Sequence, residues 1–236
     1  RGPMSARWAV VRFPGSNCEQ DLVRAVRDVL GHDCIEVWHK DPVPDDVDCI
    51  GIPGGFSYGD YLRAGSLAAM SPVMRTVKAH AEKGTLVIGI CNGFQVLCEA
   101  GLLPGALMKN RGLRFRCMDV NLRVMISDSP FVRGKAKEGD ILRVPIAHGF
   151  GNYYVPSDQA AEIKDQILFQ YCSEEGEVNQ ESNPNGSLHN IAGITNKAGN
   201  VLGMMPHPER AVEYLINGSD GRKILEAMTT NAPAKA

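Results

Sequence analysis

The chain has 236 residues, 44% of them hydrophobic and 22% charged, with 25 basic against 27 acidic side chains and a formal net charge of −2. That composition excludes a disordered chain, a collagen and a coiled coil, and it lacks the basic excess of a nucleic-acid binder. No apolar run reaches the roughly 18 residues that span a bilayer, and seven cysteines without a C-x-x-C pair argue against a zinc ribbon or a dense disulfide framework. Arg1-Gly2-Pro3 ahead of Met4 reads as an expression scar with no secretory signal behind it, so a reducing, cytoplasmic setting is expected. Trp8 to Phe13 is a short β-branched run and reads as a first strand. Pro14 to Asn17 turns the chain. Ser16 and Glu19 have capping-box spacing, which predicts a helix starting there, with Leu22, Val23, Val26, Val29 and Leu30 on one face and Gly31 as its stop. Ile35 to Trp38 reads as a strand, Asp41 to Asp46 as a loop, and Cys49 to Ile52 as a third strand ending in Pro53-Gly54-Gly55. Gly65 to Lys83 predicts one helix. Leu86 to Ile90 is a continuous apolar run that suits a central strand, and Gly93 to Glu99 predicts the helix after it. Leu113 to Val124, Ile141 to Ile146, Asn152 to Val155 and Ile167 to Cys172 add β character. Asn179 to Ser187 reads as a loop, Val201 to Met205 as a last strand and Asp220 to Met228 as a helix. The alternation predicts one α/β domain over residues 7–230, an open, mostly parallel sheet with helices on both faces and a β-rich extension, flanked by residues 1–6 and a tail at 231–236.

Gly89-Ile90-Cys91-Asn92-Gly93 stands between a buried strand and a helix. G-x-C-x-G is the thiol counterpart of the nucleophile elbow, in which small neighbours allow a tight turn that exposes the nucleophile at the sheet edge. The N–H groups and positive dipole end of the following helix favour a thiolate. Most cysteines are simply small buried residues, and the other six are taken as such. Gly54 and Gly55, at the end of another predicted strand, let backbone N–H groups come close to a ligand, and with the Asn92 N–H they are candidates for an oxyanion hole. Pro206-His207-Pro208-Glu209-Arg210 follows the last apolar strand, Val201 to Met205. A thiol nucleophile needs a base, and the base needs an orienting carboxylate. In extended backbone His207 and Glu209, two residues apart, point to one side. His32, His39, His80 and His189 lack such a partner, and His148 stands in reserve as a base.

Cys, His and Glu, each just beyond a strand, resemble the triad of class I glutamine amidotransferases. FPGSNC at 13–18, PGGFSYGDYL at 53–62, GICNGFQ at 89–95, GLLPG at 101–105 and GMMPHPER at 203–210 resemble the family of glutaminase subunits of phosphoribosylformylglycinamidine synthase, from about Arg7 to about Leu225. The resemblance implies a flavodoxin-like sheet and hydrolysis of L-glutamine in purine biosynthesis. It implies Cys91 as nucleophile, His207 as acid and base, Glu209 as its orienter, and Gly54, Gly55 and Asn92 as oxyanion donors. It implies that Gln95, and the His148, Gly149, Phe150 segment, contact substrate. The family block usually carries an acidic residue where Phe150 stands, so that contact is expected to differ here. A stand-alone cysteine hydrolase, an amidotransferase with another acceptor and a non-catalytic assembly subunit are the rival readings.

No G-x-x-x-x-G-K-[ST] phosphate loop occurs, and no metal or cofactor is expected on this chain. The resemblance implies partners instead: a large synthetase subunit that holds ATP and magnesium, and a small bridging subunit. No nucleic acid or membrane partner is expected. The segment Gly54 to Gly65, with its four glycines and with Phe56, Tyr58, Tyr61 and Arg63, is expected to move and to meet a partner.

Overall fold

The computed structural model describes residues 5–60 and 63–234, without the side chains of Asp60 and Asn217. The expected scar at Arg1–Pro3, the last two tail residues, and Tyr61 and Leu62 lie outside the described residues. The strands are β1 (Arg7–Arg12), β2 (Asp33–Trp38), β3 (Cys49–Ile52), β4 (Leu86–Ile90), β5 (Ala106–Met108), β6 (Arg116–Val124), β7 (Ile141–His148), β8 (Asn152–Tyr154), β9 (Ile167–Cys172), β10 (Ile191–Thr195) and β11 (Val201–Met204). The helices are α1 (Glu19–Val23), continued by a π-helical stretch over Arg24–Val29, then α2 (Ser66–Ala69), α3 (Val73–Glu82), α4 (Asn92–Glu99), α5 (Tyr214–Asn217) and α6 (Asp220–Asn231).

Nine strands form one sheet in the order β2-β1-β3-β4-β11-β10-β9-β6-β7, while β5 pairs with β8 apart from it. From β2 to β11 every pairing is parallel. From β11 to β7 every pairing is antiparallel, so the β-rich region extends the same sheet. β4 is buried at all five residues, as its unbroken apolar run requires of a strand covered on both faces. The covering helices are identified by alternation along β3. A methyl group on Gly51 would meet Leu22 of α1. Ile52, on the opposite face, pairs with Gly89, whose bare backbone touches α4 at Gly93. Trp8, Phe13, Ile50, Ile88, Ile90, Phe94 and Phe169 fill the core.

Three expectations are corrected. Ser16 caps no helix: its hydroxyl bonds the Phe13 N–H at 3.1 Å and the Phe13 carbonyl at 2.8 Å, closing the turn, and α1 begins three residues later. The single helix over Gly65–Lys83 is two, because Pro72 has no N–H to continue the ladder and its ring obstructs the preceding turn. The strand expected from Leu113 starts at Arg116, since Leu113 sits at φ +56° in a turn. β5 and β10 are additional strands that the periodicity did not reveal.

Candidate active site

β3, β4 and β11 are neighbours, all parallel, so their carboxyl ends lie side by side. Pro53-Gly54-Gly55 follows β3, Cys91 follows β4, and His207 comes shortly after β11. Topology alone therefore gathers three sequence-distant motifs at one edge, where open α/β sheets bind ligands. The Cys91 N–H bonds the Met204 carbonyl at 2.8 Å, which ties the elbow to the end of β11. Cys91 itself has φ +53° and ψ −109°, a conformation unusual for a side chain with a Cβ. It precedes the first turn of α4, where N–H groups lack intrahelical partners.

His207 and Glu209 form a buried pair, with His207 Nδ1 and Glu209 Oε1 2.5 Å apart. The backbone does not reach this pairing as an extended strand. Pro208–Arg210 is a turn of 3₁₀ helix with Pro208 at its start, and it folds the carboxylate back onto the ring. Burial by itself would lower the imidazole pKa; the Glu209 carboxylate and the Cys91 sulfur outweigh it and hold the ring protonated well above the usual histidine range. Gly54 packs closely against both His207 and Cys91. A methyl group there would stand 2.9 Å from His207 Cε1 and 3.3 Å from Cys91 Cβ, so the position has no room for a side chain.

A second wall comes from β7. The Pro145 carbonyl accepts the His207 N–H at 2.8 Å, and the Ala147 carbonyl lies 3.7 Å from Cys91 Sγ. Between the walls is a pocket of about 360 Å³ that Cys91, Gln95, His148, Gly149, Phe150 and His207 all line, a size suited to a small molecule. Gln95 is largely committed within the protein: its carbonyl accepts from Asn92 and one N–H donates to the Phe150 carbonyl. One amide hydrogen remains for a ligand. The Phe150 ring carries the Lys109 ammonium 5.8 Å from its centroid, so this part of the wall pairs a ring with a cation.

His148 is placed as a donor and not as a base. Asn185 accepts the Ser187 N–H on its oxygen, so its nitrogen must donate to His148 Nε2, 3.0 Å away. That occupies the ring's lone pair and leaves the proton on Nδ1, which is buried and has no partner among the described residues. Burial, and then the charge of His207, push the His148 pKa down to about 4.

Sequence reasoning missed Cys18 and Arg210 as pocket residues. Arg210 donates to Cys18 Sγ at 3.1 Å and to Asp21 at 3.1 Å. Burial, opposed by Arg210, pushes the Cys18 thiol up to about 12, so it stays a thiol. The FPGSNC segment was the available signal, since it lies opposite PGGF across a Ser16–Gly55 bridge. Tyr58, expected at a partner surface, instead bonds His39 and Ser71 at 2.9 and 3.1 Å.

Comparison with known proteins fits this geometry. A family model for the CobB/CobQ-like glutamine amidotransferase domain matches residues 5–227. The phosphoribosylformylglycinamidine synthase subunit PurQ of Salinibacter ruber is 53% identical over 95% of this chain and 96% of its own length. The PurQ subunit of Pseudothermotoga lettingae is 54% identical over 93% of each chain. The chain belongs to the PurQ family of glutamine amidotransferases. A chain in the structure of PurLQS from Thermotoga maritima superposes with a TM-score of 0.85 at 42% identity, covering 96% of this chain and 99% of that one. Another glutamine amidotransferase from Thermotoga maritima, 15% identical with a TM-score of 0.57 over 94% of this chain and 90% of that one, shares the fold. The PurQ relatives match nearly end to end, so the similarity covers both the parallel part of the sheet and its antiparallel extension.

Proposed function

We infer that this chain is the glutaminase subunit of phosphoribosylformylglycinamidine synthase, releasing ammonia from L-glutamine for purine biosynthesis. The observation that carries the chemistry is the convergence of the strained Cys91 elbow and the buried His207–Glu209 pair on one pocket. In this reading Cys91 Sγ attacks the side-chain amide carbon of glutamine. The amide oxygen takes the negative charge and is met by backbone N–H groups of Gly54 or Gly55 and of Asn92. His207 gives its proton to the departing nitrogen, the C–N bond breaks, and ammonia leaves a γ-glutamyl thioester. His207 then takes a proton from water as the water attacks the thioester carbon. Glutamate departs, its new carboxyl group shedding a proton to solvent, and the Cys91 sulfur and protonated His207 return to their starting state. Glu209 keeps the ring oriented and supports its positive charge.

Ammonia is useful only where it is consumed, so the chain works within a multi-subunit complex. We assign the consuming step to a large synthetase subunit that holds ATP and magnesium and converts formylglycinamide ribonucleotide to formylglycinamidine ribonucleotide, with a small bridging subunit between them. Seven free thiols go with a reducing, cytoplasmic setting. The test is Cys91→Ser in the assembled complex. Glutamine-dependent synthesis should vanish while ammonia-dependent synthesis continues. A Cys91→Ser complex that still used glutamine would refute the assignment.

A further inference from the structure

One chain of hydrogen bonds crosses the site from wall to wall. The Ser57 N–H, in the loop after β3, donates to Asn92 Oδ1 at 3.1 Å. Asn92 Nδ2 donates to Gln95 Oε1 at 2.8 Å. Gln95 Nε2 donates to the Phe150 carbonyl, in the loop after β7, at 2.7 Å. Asn92 and Gln95 are one turn apart on α4, which brings their amides together. Ser57, Asn92 and Gln95 are all buried. Both ends are main chain: an N–H that can only donate and a carbonyl that can only accept. The direction of every bond is therefore fixed, and neither amide can turn over without opposing two like groups. Phe56, Gln95 and Phe150 line the pocket, whereas the Asn92 side chain lies behind it.

Resting on the glutaminase reading above, we propose that the Asn92 side chain is a positioning residue for glutamine cleavage, holding the loop after β3 and the loop after β7 at fixed distances from Cys91. The loop after β3 carries Gly54 and Gly55, three and two residues before Ser57. Their N–H groups must meet an oxygen held on the same carbon that Cys91 attacks. Oxyanion donors act only within a few tenths of an ångström of the right place. Asn92 thus serves twice: its N–H at the helix start is one donor, and its side chain sets where the others stand. A buried amide serving packing alone would have no need to join both loops.

The test is glutamine hydrolysis by the full chain in its complex, comparing Asn92→Asp, Asn92→Ala, Gln95→Ala and the Asn92→Ala/Gln95→Ala double variant. Asn92→Asp keeps the shape and the acceptor for Ser57 but sets oxygen against Gln95 Oε1. We expect both Asn92 variants to lower kcat about tenfold or more, with KM changed less than about threefold, since the side chain lies behind the pocket. The double variant should be no more than about twofold worse in kcat/KM than the poorer single, as for residues acting as one unit. A structural role alone would lower the melting temperature without separating kcat from KM. A folded Asn92→Asp with wild-type kcat, or single effects that multiply in the double, would overturn the proposal. If Asn92→Ala does not fold, Asn92→Asp carries the test alone. Absence of hydrolysis by the wild-type complex would instead refute the glutaminase reading.

Discussion

Burial acts against a protonated His207, and Glu209, with the Cys91 sulfur, overcomes it to raise the pKa of His207. Its folded pKa is raised, so this ion pair contributes stability that is complete below the ordinary value of about 6.5 and is lost as pH rises through the raised value. Replacing Glu209 by Gln leaves burial opposed by the Cys91 sulfur alone, and the His207 pKa should fall from its raised value. A pH titration of labelled His207 by NMR checks this; an unmoved titration would mean that Glu209 does not hold the proton. Turnover should fall by roughly 10²–10⁴ in His207→Ala, which lacks the acid, and by less in Glu209→Gln, which mainly loses orientation. His148 gives the opposite sign. Its folded pKa, pushed down to about 4, makes a neutral-ring contribution that is present above about 6.5 and lost as pH falls toward 4. Urea unfolding between those values should show a slope about 1.4 kcal/mol per pH unit shallower in His148→Gln. An unchanged slope would rule out this buried neutral imidazole. At this scale the sequence displayed Cys91, His207 and Glu209 because each is local to a strand-end motif. It hid the contacts of Arg210 with Cys18 and of Asn185 with His148, which join residues 192 and 37 positions apart and carry no periodic signature.

The elbow between β4 and α4 is the element on which the site depends, and it is strained at one residue. Cys91 at φ +53° carries a Cβ where glycine would be at ease. Cys91→Gly should therefore be about 1 kcal/mol more stable than Cys91→Ala in urea, with both inactive. Equal stabilities would mean that the turn bears no strain. Close approach makes the second demand. A methyl group on Gly93 would lie 1.9 Å from the Ile52 carbonyl, a backbone atom that cannot turn aside. Gly93→Ala should lower stability by about 1–3 kcal/mol or more and displace α4 from β3. The strands β3, β4 and β9 were legible to the residue, since β3 and β4 are bounded apolar runs and β9 is one broken only at Gln170. Helix ends were less so. A capping-box spacing at Ser16 and Glu19 is satisfied equally by a turn that uses the same hydroxyl, and the decision rests on packing against the loop of Gly55.

At the scale of the whole molecule, the site is built from both halves of the sheet. The parallel half supplies Gly54, Cys91 and His207, and β7, the last strand of the antiparallel half, supplies Ala147 and His148. The loop after β3 joins these halves to the surface. Phe56 is half exposed and lines the pocket, and Arg63 is exposed and bonded to Glu99 at the end of α4 at 2.7 Å. The Arg63 end of this pair is exposed and open to a partner, whereas Glu99 is largely buried. Glutamine hydrolysed without a consumer is wasted, and a loop that carries candidate oxyanion donors is the place to prevent it. The lone chain should accordingly turn over glutamine slowly, and the rate should rise at least tenfold when the synthetase subunits, nucleotide and acceptor are added. Arg63→Ala should fold normally and lose most of that rise. Equal rates with and without partners would remove the idea of coupling, and a full rise in Arg63→Ala would place the coupling element elsewhere than on this loop.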